Sequence, residues 1–229
     1  MHRDSEIGTE KLWTNARLRW ALDRDEVANT ITHGLGFFLS VVGASVMAAW
    51  VVPTGEPWRI AGCMVFATML VTVYAMSTMS HACTTPKWKC FFEVLDQAFI
   101  YLLIVGTFTP FALAYSDSRT GWVLLSVMWI IALFGFVSKL AKGSRIDKSS
   151  VWLHLLLGWL PLTMISTWLR AMPRAALWWV LIGGIFYTVG TIFLVFDRHV
   201  RHFHAMWHLL VIAGSASHYF VILLFIARS

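Results

Sequence analysis

The sequence predicts an all-α membrane protein, a bundle of seven transmembrane helices with a cytosolic N-terminus and an external C-terminus. Hydrophobic residues make up 58% of the 229 positions, charged residues only 13%, and the mean hydropathy is +0.68. Soluble domains carry about 25% charged residues, so this composition excludes an ordinary soluble domain, a disordered chain and a disulfide scaffold. A helix needs about 20 apolar residues to cross a bilayer, and the chain has room for about seven such helices.

Seven apolar stretches follow one another, each long enough to span a membrane. Pro110 and Pro161 lie inside the third and fifth stretches, where each is expected to kink its helix and free a backbone carbonyl. Short connections with turn residues separate the stretches, for example Met172-Pro173 after the fifth. The spans are predicted at residues 31–52, 60–80, 95–115, 121–138, 151–169, 175–196 and 205–227.

Residues 1–29 precede the first span as a charged tail. The tail mixes acids and bases and has no apolar core, so it is not a cleavable signal peptide. Tryptophan and leucine residues scattered through it favour a short helix that lies on the membrane surface. Residues 30–229 then form the seven-helix transmembrane domain.

Lysine and arginine are distributed unequally between the two sides of the predicted bundle. The tail and the loops after the second, fourth and sixth spans carry 13 of these 18 residues. Because cytosolic loops carry an excess of Lys and Arg, this side is expected to face the cytosol. The arrangement is the opposite of a G-protein-coupled receptor. The chain has no soluble basic face, so its net charge of +6 does not indicate nucleic-acid binding.

Ionisable residues gather at the span ends that are predicted to lie on the cytosolic side. Such residues cost about 2.5–3.5 kcal/mol each on insertion scales and usually mark function. His81 ends the second span, Asp96 begins the third, and His204 and His208 begin the seventh. Glu26 and His33 flank the start of the first span, on the same side. Scattered polar residues would not collect at one depth, so a shared site is predicted there.

His204 and His208 are four residues apart, so on a helix both imidazoles lie on one face, about 5–6 Å apart. Paired histidines with this spacing can bind one metal ion, as in the HExxH motif, although HxxxH alone is a weak signal. His81 supplies a third ring nitrogen at the matching depth. Three histidines suit zinc, and a fourth position open to water is typical of a catalytic site. The sequence therefore predicts zinc bound by these three residues.

Asp96 has two roles open to it, as a fourth ligand or as a group beside the metal that orients its water and takes a proton. Ser77, four residues before His81 and on the same helix face, could hydrogen-bond that water or polarise a substrate carbonyl. The structural alternative for Asp96 is a salt bridge to Lys87 or Lys89 at the membrane edge.

Four further histidines are interpreted as structural or solvated residues. His218 lies 14 residues after His204, which places it about 21 Å deeper, too far to bind the same ion. It is expected to hydrogen-bond a neighbouring helix. His154 is interpreted as a packed polar residue, and His199 and His202 as solvated residues of the sixth connection.

Four stretches resemble motifs of the hemolysin III family, within the progestin and adipoQ receptor superfamily. The opening EVANTITHGLG resembles E-x2-N-x2-[ST]-H-G-x-G, and STMSH resembles S-x3-H. An LD pair followed by GTFTP resembles the LD…GTxTP segment, and HAMWH resembles the H-x2-W-H ending. These stretches are residues 26–36, 77–81, 95–110 and 204–208, and the resemblance covers about residues 24–227.

The resemblance implies a seven-helix bundle with a zinc ion near the inner leaflet. It implies His81, His204 and His208 as ligands, with Asp96 and Ser77 beside the metal-bound water. The receptor branch is linked to ceramidase-like amide hydrolysis, and bacterial relatives are associated with membrane lipid homeostasis. The short tail and the HG-x-G opening look bacterial, which implies a multi-pass protein of the bacterial cytoplasmic (inner) membrane.

The leading functional hypothesis is an intramembrane zinc hydrolase of lipid amide or ester bonds, whose substrates enter sideways from the leaflet. One alternative is a non-enzymatic sensor or receptor of membrane or lipid state with a structural zinc. Another is a transporter or a pore-forming hemolysin. The expected partners are membrane lipids and a lipid-like substrate or ligand, with no nucleic acid.

Overall fold

The computed structural model describes residues 3–115, 119–143, 148–197 and 199–228, and for residues 3–24, 148 and 149 it describes the backbone alone. The described chain is helical throughout, apart from short connections. Its α-helices are α1 Arg3–Val51, α2 Pro57–Ala82, α3 Pro86–Tyr115, α4 Arg119–Lys142, α5 Lys148–Trp159, α6 Ile165–Ala171, α7 Arg174–Phe196 and α8 Phe203–Ile222. A 3₁₀ turn follows α1, and a π-helical turn, Leu223–Ala227, extends α8.

Seven segments of the described chain are helices long and apolar enough to cross a membrane, which confirms the predicted number. Each observed helix extends beyond its apolar stretch. The helix continues into the polar boundary because water and headgroups hydrogen-bond the free backbone groups at its ends. The largest difference is in the third span, which begins nine residues earlier than predicted. The segments are Asp25–Thr54, Pro57–Ala82, Pro86–Tyr115, Arg119–Lys142, Ser150–Ala171, Arg174–Phe196 and Phe203–Ala227.

Proline interrupts the fifth span. The 3₁₀ turn Leu160–Met164 separates α5 from α6 and has Pro161 near its start. Proline lacks the N–H that an α-helix needs and clashes with the preceding turn, so the predicted disturbance at this position is confirmed. In contrast, α3 continues through Pro110 to Tyr115.

The interior of the bundle is formed mainly by α2, α3 and α8. The most apolar part of the third span is 56% buried, against 17% for the fifth and sixth spans. Large apolar side chains on the outer helices, such as Phe38, Ile130 and Phe134, are exposed on the outside of the bundle. That surface is the one that lipid would cover in a membrane protein.

Glycine residues allow the inner helices to approach closely. A Cβ atom on Gly62 of α2 would lie 2.9 Å from the Cα atom of Pro110 in α3. A Cβ atom on Gly214 of α8 would lie 3.1 Å from the carbonyl oxygen of Gly183 in α7. Small residues at helix crossings are typical of membrane bundles, where close packing replaces the hydrophobic effect between helices. These contacts pack α2 against α3 and α8 against α7, and α2 and α8 are the helices that carry the three histidines.

Candidate metal centre

Three imidazoles from two helices meet at one end of the bundle. His81 lies in the last turn of α2, and His204 and His208 lie in the first two turns of α8. One ring nitrogen from each lies within 4.8 Å of the corresponding atoms of the other two. The ring centroids are 5.1 Å apart for His81 and His204, 5.0 Å for His81 and His208, and 4.5 Å for His204 and His208. The structure thus brings together the three histidines selected from depth and spacing, in a cluster that could hold a metal ion.

Two of the histidines are oriented by carboxylates. His81 Nδ1 lies 2.8 Å from Glu26 Oε2, and His204 Nδ1 lies 2.8 Å from Asp197 Oδ2. An ionised carboxylate only accepts hydrogen bonds, so each Nδ1 carries a proton, and in the neutral imidazole each Nε2 keeps a free lone pair. Lys89 donates to Glu26 Oε1 at 2.8 Å and holds that carboxylate in place. Metal-binding histidines usually have such partners.

The third histidine also donates from Nδ1, in this case to a hydroxyl group. His208 Nδ1 lies 3.0 Å from Thr32 Oγ1. The Thr32 hydroxyl is also 2.9 Å from the carbonyl oxygen of Ala28 and 3.0 Å from that of Asn29, to which it donates. Since its single proton is used there, Thr32 accepts from His208 Nδ1–H. The Nε2 lone pair of His208 is therefore also free.

A buried ring nitrogen without a hydrogen-bond partner indicates that these histidines fit a metal ion. His81 Nε2 is buried and has no hydrogen-bond partner among the described residues. A buried polar atom without a partner costs about 1–3 kcal/mol, and a bound metal ion would remove that cost. Three neutral imidazoles with Nε2 free and Nδ1 paired are a donor set that zinc and similar transition metals accept. The residues present therefore fit a metal ion.

A cavity of about 810 Å³ begins at the histidines and extends through the bundle. At one end it is lined by His81, His204 and Asp96, and at the other end by Trp168 and Arg174. Most of the remaining wall is apolar and comes from α3, α5, α6, α7 and α8. The histidine cluster is therefore open to a large, mostly apolar space inside the membrane-spanning part of the protein.

Asp96 lies beside the histidine cluster rather than within it. Among the described residues, the group of donors within 4.8 Å of one another comprises the three histidines alone. The Asp96 carboxyl lines the cavity, contacts the Ser77 hydroxyl and is close to His204. Lys89, considered above as its salt-bridge partner, pairs instead with Glu26. The arrangement therefore favours Asp96 as a neighbour of the metal over Asp96 as a fourth ligand.

Ser77 connects Asp96 to a fourth imidazole. Ser77 is fully buried, and its hydroxyl also hydrogen-bonds Nδ1 of His33 on α1. The His33 ring stacks on His208 with centroids 3.4 Å apart. The face of the His33 ring thus packs against the histidine cluster, and Nδ1 at the ring edge fixes the Ser77 hydroxyl.

Four contributors to the centre were not assigned a role from the sequence: Glu26, Thr32, His33 and Asp197. The first three belong to the opening motif, and their positions in that motif are the signal that could have indicated them. Asp197 stands in the sixth connection, where an acidic residue is ordinary and carries no signal. His218, as expected, lies elsewhere, with Nε2 3.1 Å from the carbonyl oxygen of Val180 on α7.

Comparison with known proteins identifies the family. The sequence profile of the family described as Haemolysin-III related matches residues 23–219. The chain belongs to the hemolysin III family. The similarity extends to a "Hemolysin-3 homolog" of Bacillus subtilis, which is 34% identical over 205 residues that cover 90% of this chain and 96% of the relative. "Hemolysin-3" of Bacillus cereus is 33% identical over 89% of this chain and 92% of its own length.

Distant relatives of this hemolysin III protein occur in animals. The human "Monocyte to macrophage differentiation factor" is 22% identical over 90% of this chain and 86% of its own length. The "Adiponectin receptor protein" of Drosophila melanogaster is 27% identical over 64% of this chain and 37% of its own length. These relatives place the chain in the progestin and adipoQ receptor superfamily. No solved structure matches the chain significantly.

Replacement of Glu26 by glutamine is expected to weaken metal binding by about 10–100-fold, the usual effect of losing an outer partner of a ligand. Glutamine preserves the size of the side chain but removes the charge that holds the His81 Nδ1 proton. Competition with a chromogenic zinc chelator measures the affinity. Glu93→Gln is the matched control, because it neutralises another carboxyl that lines the cavity. An equal effect of both substitutions would show that overall charge, and not the His81 contact, determines the affinity.

Proposed function

We propose that this hemolysin III family protein is a zinc-dependent hydrolase that cleaves an amide or ester bond of a lipid within the membrane. One observation carries the proposal: three histidines with free Nε2 atoms and a neighbouring carboxyl meet on the wall of a large apolar cavity. The histidines supply the metal site, the carboxyl supplies a proton acceptor, and the cavity has the polarity of a lipid chain.

Zinc is the metal that this donor set favours. Three neutral imidazoles and no thiolate are typical of catalytic zinc sites, which keep a fourth position open. His81, His204 and His208 would hold the ion. When bound, zinc polarises a carbonyl group and makes a coordinated water more acidic.

Asp96 would transfer the proton. As water attacks the lipid carbonyl, Asp96 accepts a proton from it, and the same proton then goes to the leaving nitrogen or oxygen as the C–N or C–O bond breaks. The Ser77 hydroxyl contacts the Asp96 carboxyl and fixes its orientation. Because Ser77 is itself held by His33, the carboxyl needs little reorganisation during the reaction.

We also propose that the histidine end of the bundle faces the cytosol of a bacterial cell, in its cytoplasmic membrane. The support is the concentration of Lys and Arg on the tail, residues 1–29, and on the loops at that end, together with the Bacillus relatives. The centre would then lie at the depth of the inner leaflet, from which membrane lipids enter. A role in membrane lipid homeostasis follows from cleavage of such lipids.

A second candidate is a sensor or receptor of membrane state with a structural metal. It is favoured by the origin of the histidines, since an ion held by α2 and α8 would join the second span to the seventh. In that function the metal stabilises the bundle and no lipid is cleaved. The name of the Bacillus cereus relative raises lysis as a further activity.

Hydrolysis by purified protein in vesicles separates these functions. Vesicles that contain a ceramide, a phospholipid ester and a monoacylglycerol are incubated with the protein, and the products are identified by mass spectrometry. We expect release of a fatty acid with an equal amount of its amine or alcohol, loss of release after chelation, and recovery with added zinc. If no lipid is cleaved by zinc-loaded protein, and metal removal lowers the melting temperature, the sensor function replaces the hydrolase.

A further inference from the structure

A second group of polar side chains lines the same cavity. Lys139 of α4, His154 of α5 and Gln97 of α3 all face it. Tyr101 of α3 packs against the His154 ring with centroids 4.0 Å apart. None of these four side chains takes part in the reaction proposed above, and we refer to them as the lysine cluster.

Close packing between α3 and α4 builds this cluster. A Cβ atom on Gly135 of α4 would lie 2.6 Å from Cδ1 of Tyr101, so only glycine lets the Tyr101 ring lie against α4. Lys139 follows Gly135 by four residues and therefore extends from the same face of the helix. Lys139 and His154 line the same cavity.

The placement of Lys139 is unusual for a lysine at the end of a span. Such a side chain ordinarily extends toward headgroups and water, as the exposed Lys142 does on the same helix. Lys139 is only 5% exposed and lines the cavity instead. His154 adds a buried Nε2 without a hydrogen-bond partner among the described residues. An ammonium group and a ring nitrogen that can carry a proton, on the wall of a mostly apolar cavity, suit a ligand with anionic oxygens.

The lysine cluster begins next to the proposed reaction centre. Gln97 directly follows Asp96 on α3, and Tyr101 lies one turn further on, about 6 Å along the helix axis. Asp96, Gln97, Lys139 and His154 line one continuous cavity. A single ligand can therefore contact the Asp96 carboxyl and the lysine cluster at the same time.

We propose that Lys139 and His154 bind the anionic group, a carboxylate or a phosphate, of a lipid that occupies the cavity. The Lys139 ammonium supplies the charge, and His154 supplies an N–H donor in its Nε2–H tautomer. This inference rests on the proposed function only in taking the cavity as the lipid site. It narrows the substrate class to lipids that carry a negative charge close to the bond that is cleaved.

Binding of matched probes to the full-length protein tests the assignment. Oleate, oleoylglycerol phosphate, uncharged monoolein and inorganic phosphate are titrated in a neutral detergent and followed by native mass spectrometry. We expect the wild-type protein to bind both anionic lipids at least about tenfold more tightly than monoolein, as a charge-assisted contact implies. Lys139→Met and His154→Phe should abolish this preference and leave monoolein binding unchanged. Lys139→Arg and the control Lys142→Met should keep it.

Each contrary outcome has a distinct meaning. Equal affinity of the wild type for monoolein and the anionic lipids would overturn the inference, although the cavity would still be a lipid site. An equal effect of Lys139→Met and Lys142→Met would have the same meaning. Binding of inorganic phosphate as tightly as oleoylglycerol phosphate would assign the cluster to a free anion and also overturn it. If the wild type binds no lipid probe, the lipid site of the proposed function fails as well. Unchanged monoolein binding by Lys139→Met shows that this variant is folded.

Discussion

Alanine at His208 is expected to reduce the metal content of the purified protein from about one ion per chain to near zero. The substitution removes one of three donors, and even the loss of an outer partner lowers affinity by about 10–100-fold. His208 is 1% exposed, and Thr32 and His33 fix its ring, so another side chain has no room to replace it. Metal analysis by mass spectrometry after dialysis against a weak chelator measures the effect.

Two further variants show that the loss is specific to the centre. His81→Ala removes a donor from α2 and should give the same loss, which separates removal of a ligand from local disturbance of α8. His199→Ala changes an exposed histidine in the connection before α8 and should retain the ion. Metal retained in both His208→Ala and His81→Ala would exclude the centre, and the histidines would then form a buried hydrogen-bond network.

Alanine at Asp96 is expected to keep the metal and to lower lipid hydrolysis by about 10²–10⁴-fold, the usual contribution of general acid–base catalysis. The three histidines are clustered without Asp96, so metal affinity should change much less than turnover. Asp96→Asn should be equally inactive, because an amide keeps the contact with Ser77 but cannot take a proton from water. Rates are measured at saturating lipid alongside metal content.

The control for Asp96 is Glu93→Gln, three residues earlier on α3 and also on the cavity wall. It should retain most of the wild-type rate. Full turnover by Asp96→Ala would remove this carboxyl from the mechanism. Loss of the ion together with activity would instead make Asp96 a ligand and leave the proton acceptor unassigned.

The juxtaposition of His81, His204 and His208 could be predicted from the sequence for a physical reason. A membrane span has a fixed length and direction, so the position of a residue along its span gives its depth. Helical periodicity then gives its face. Depth and face together select three histidines without knowledge of which helices are neighbours. Proline chemistry predicted the break at Pro161, but the same chemistry does not distinguish that position from Pro110, through which α3 continues.

Contacts between the ends of different spans could not be predicted in the same way. Glu26 and Asp197 stand at the membrane boundary, where acidic residues are common, and their contacts with His81 and His204 depend on the order of the helices around the bundle. The lysine cluster depends on Gly135, which lets α4 approach Tyr101. A glycine in a span has many explanations, and only the packed structure distinguishes them.

The separation of the histidines along the chain has a consequence for biosynthesis. His81 lies in the second span, whereas His204 and His208 lie in the seventh, with four spans between them. A ribosome-bound chain that has inserted six helices has only one of the three proposed donors. An ion that needs all three histidines would bind only after the last helix has been inserted, so metal loading would mark a completed protein.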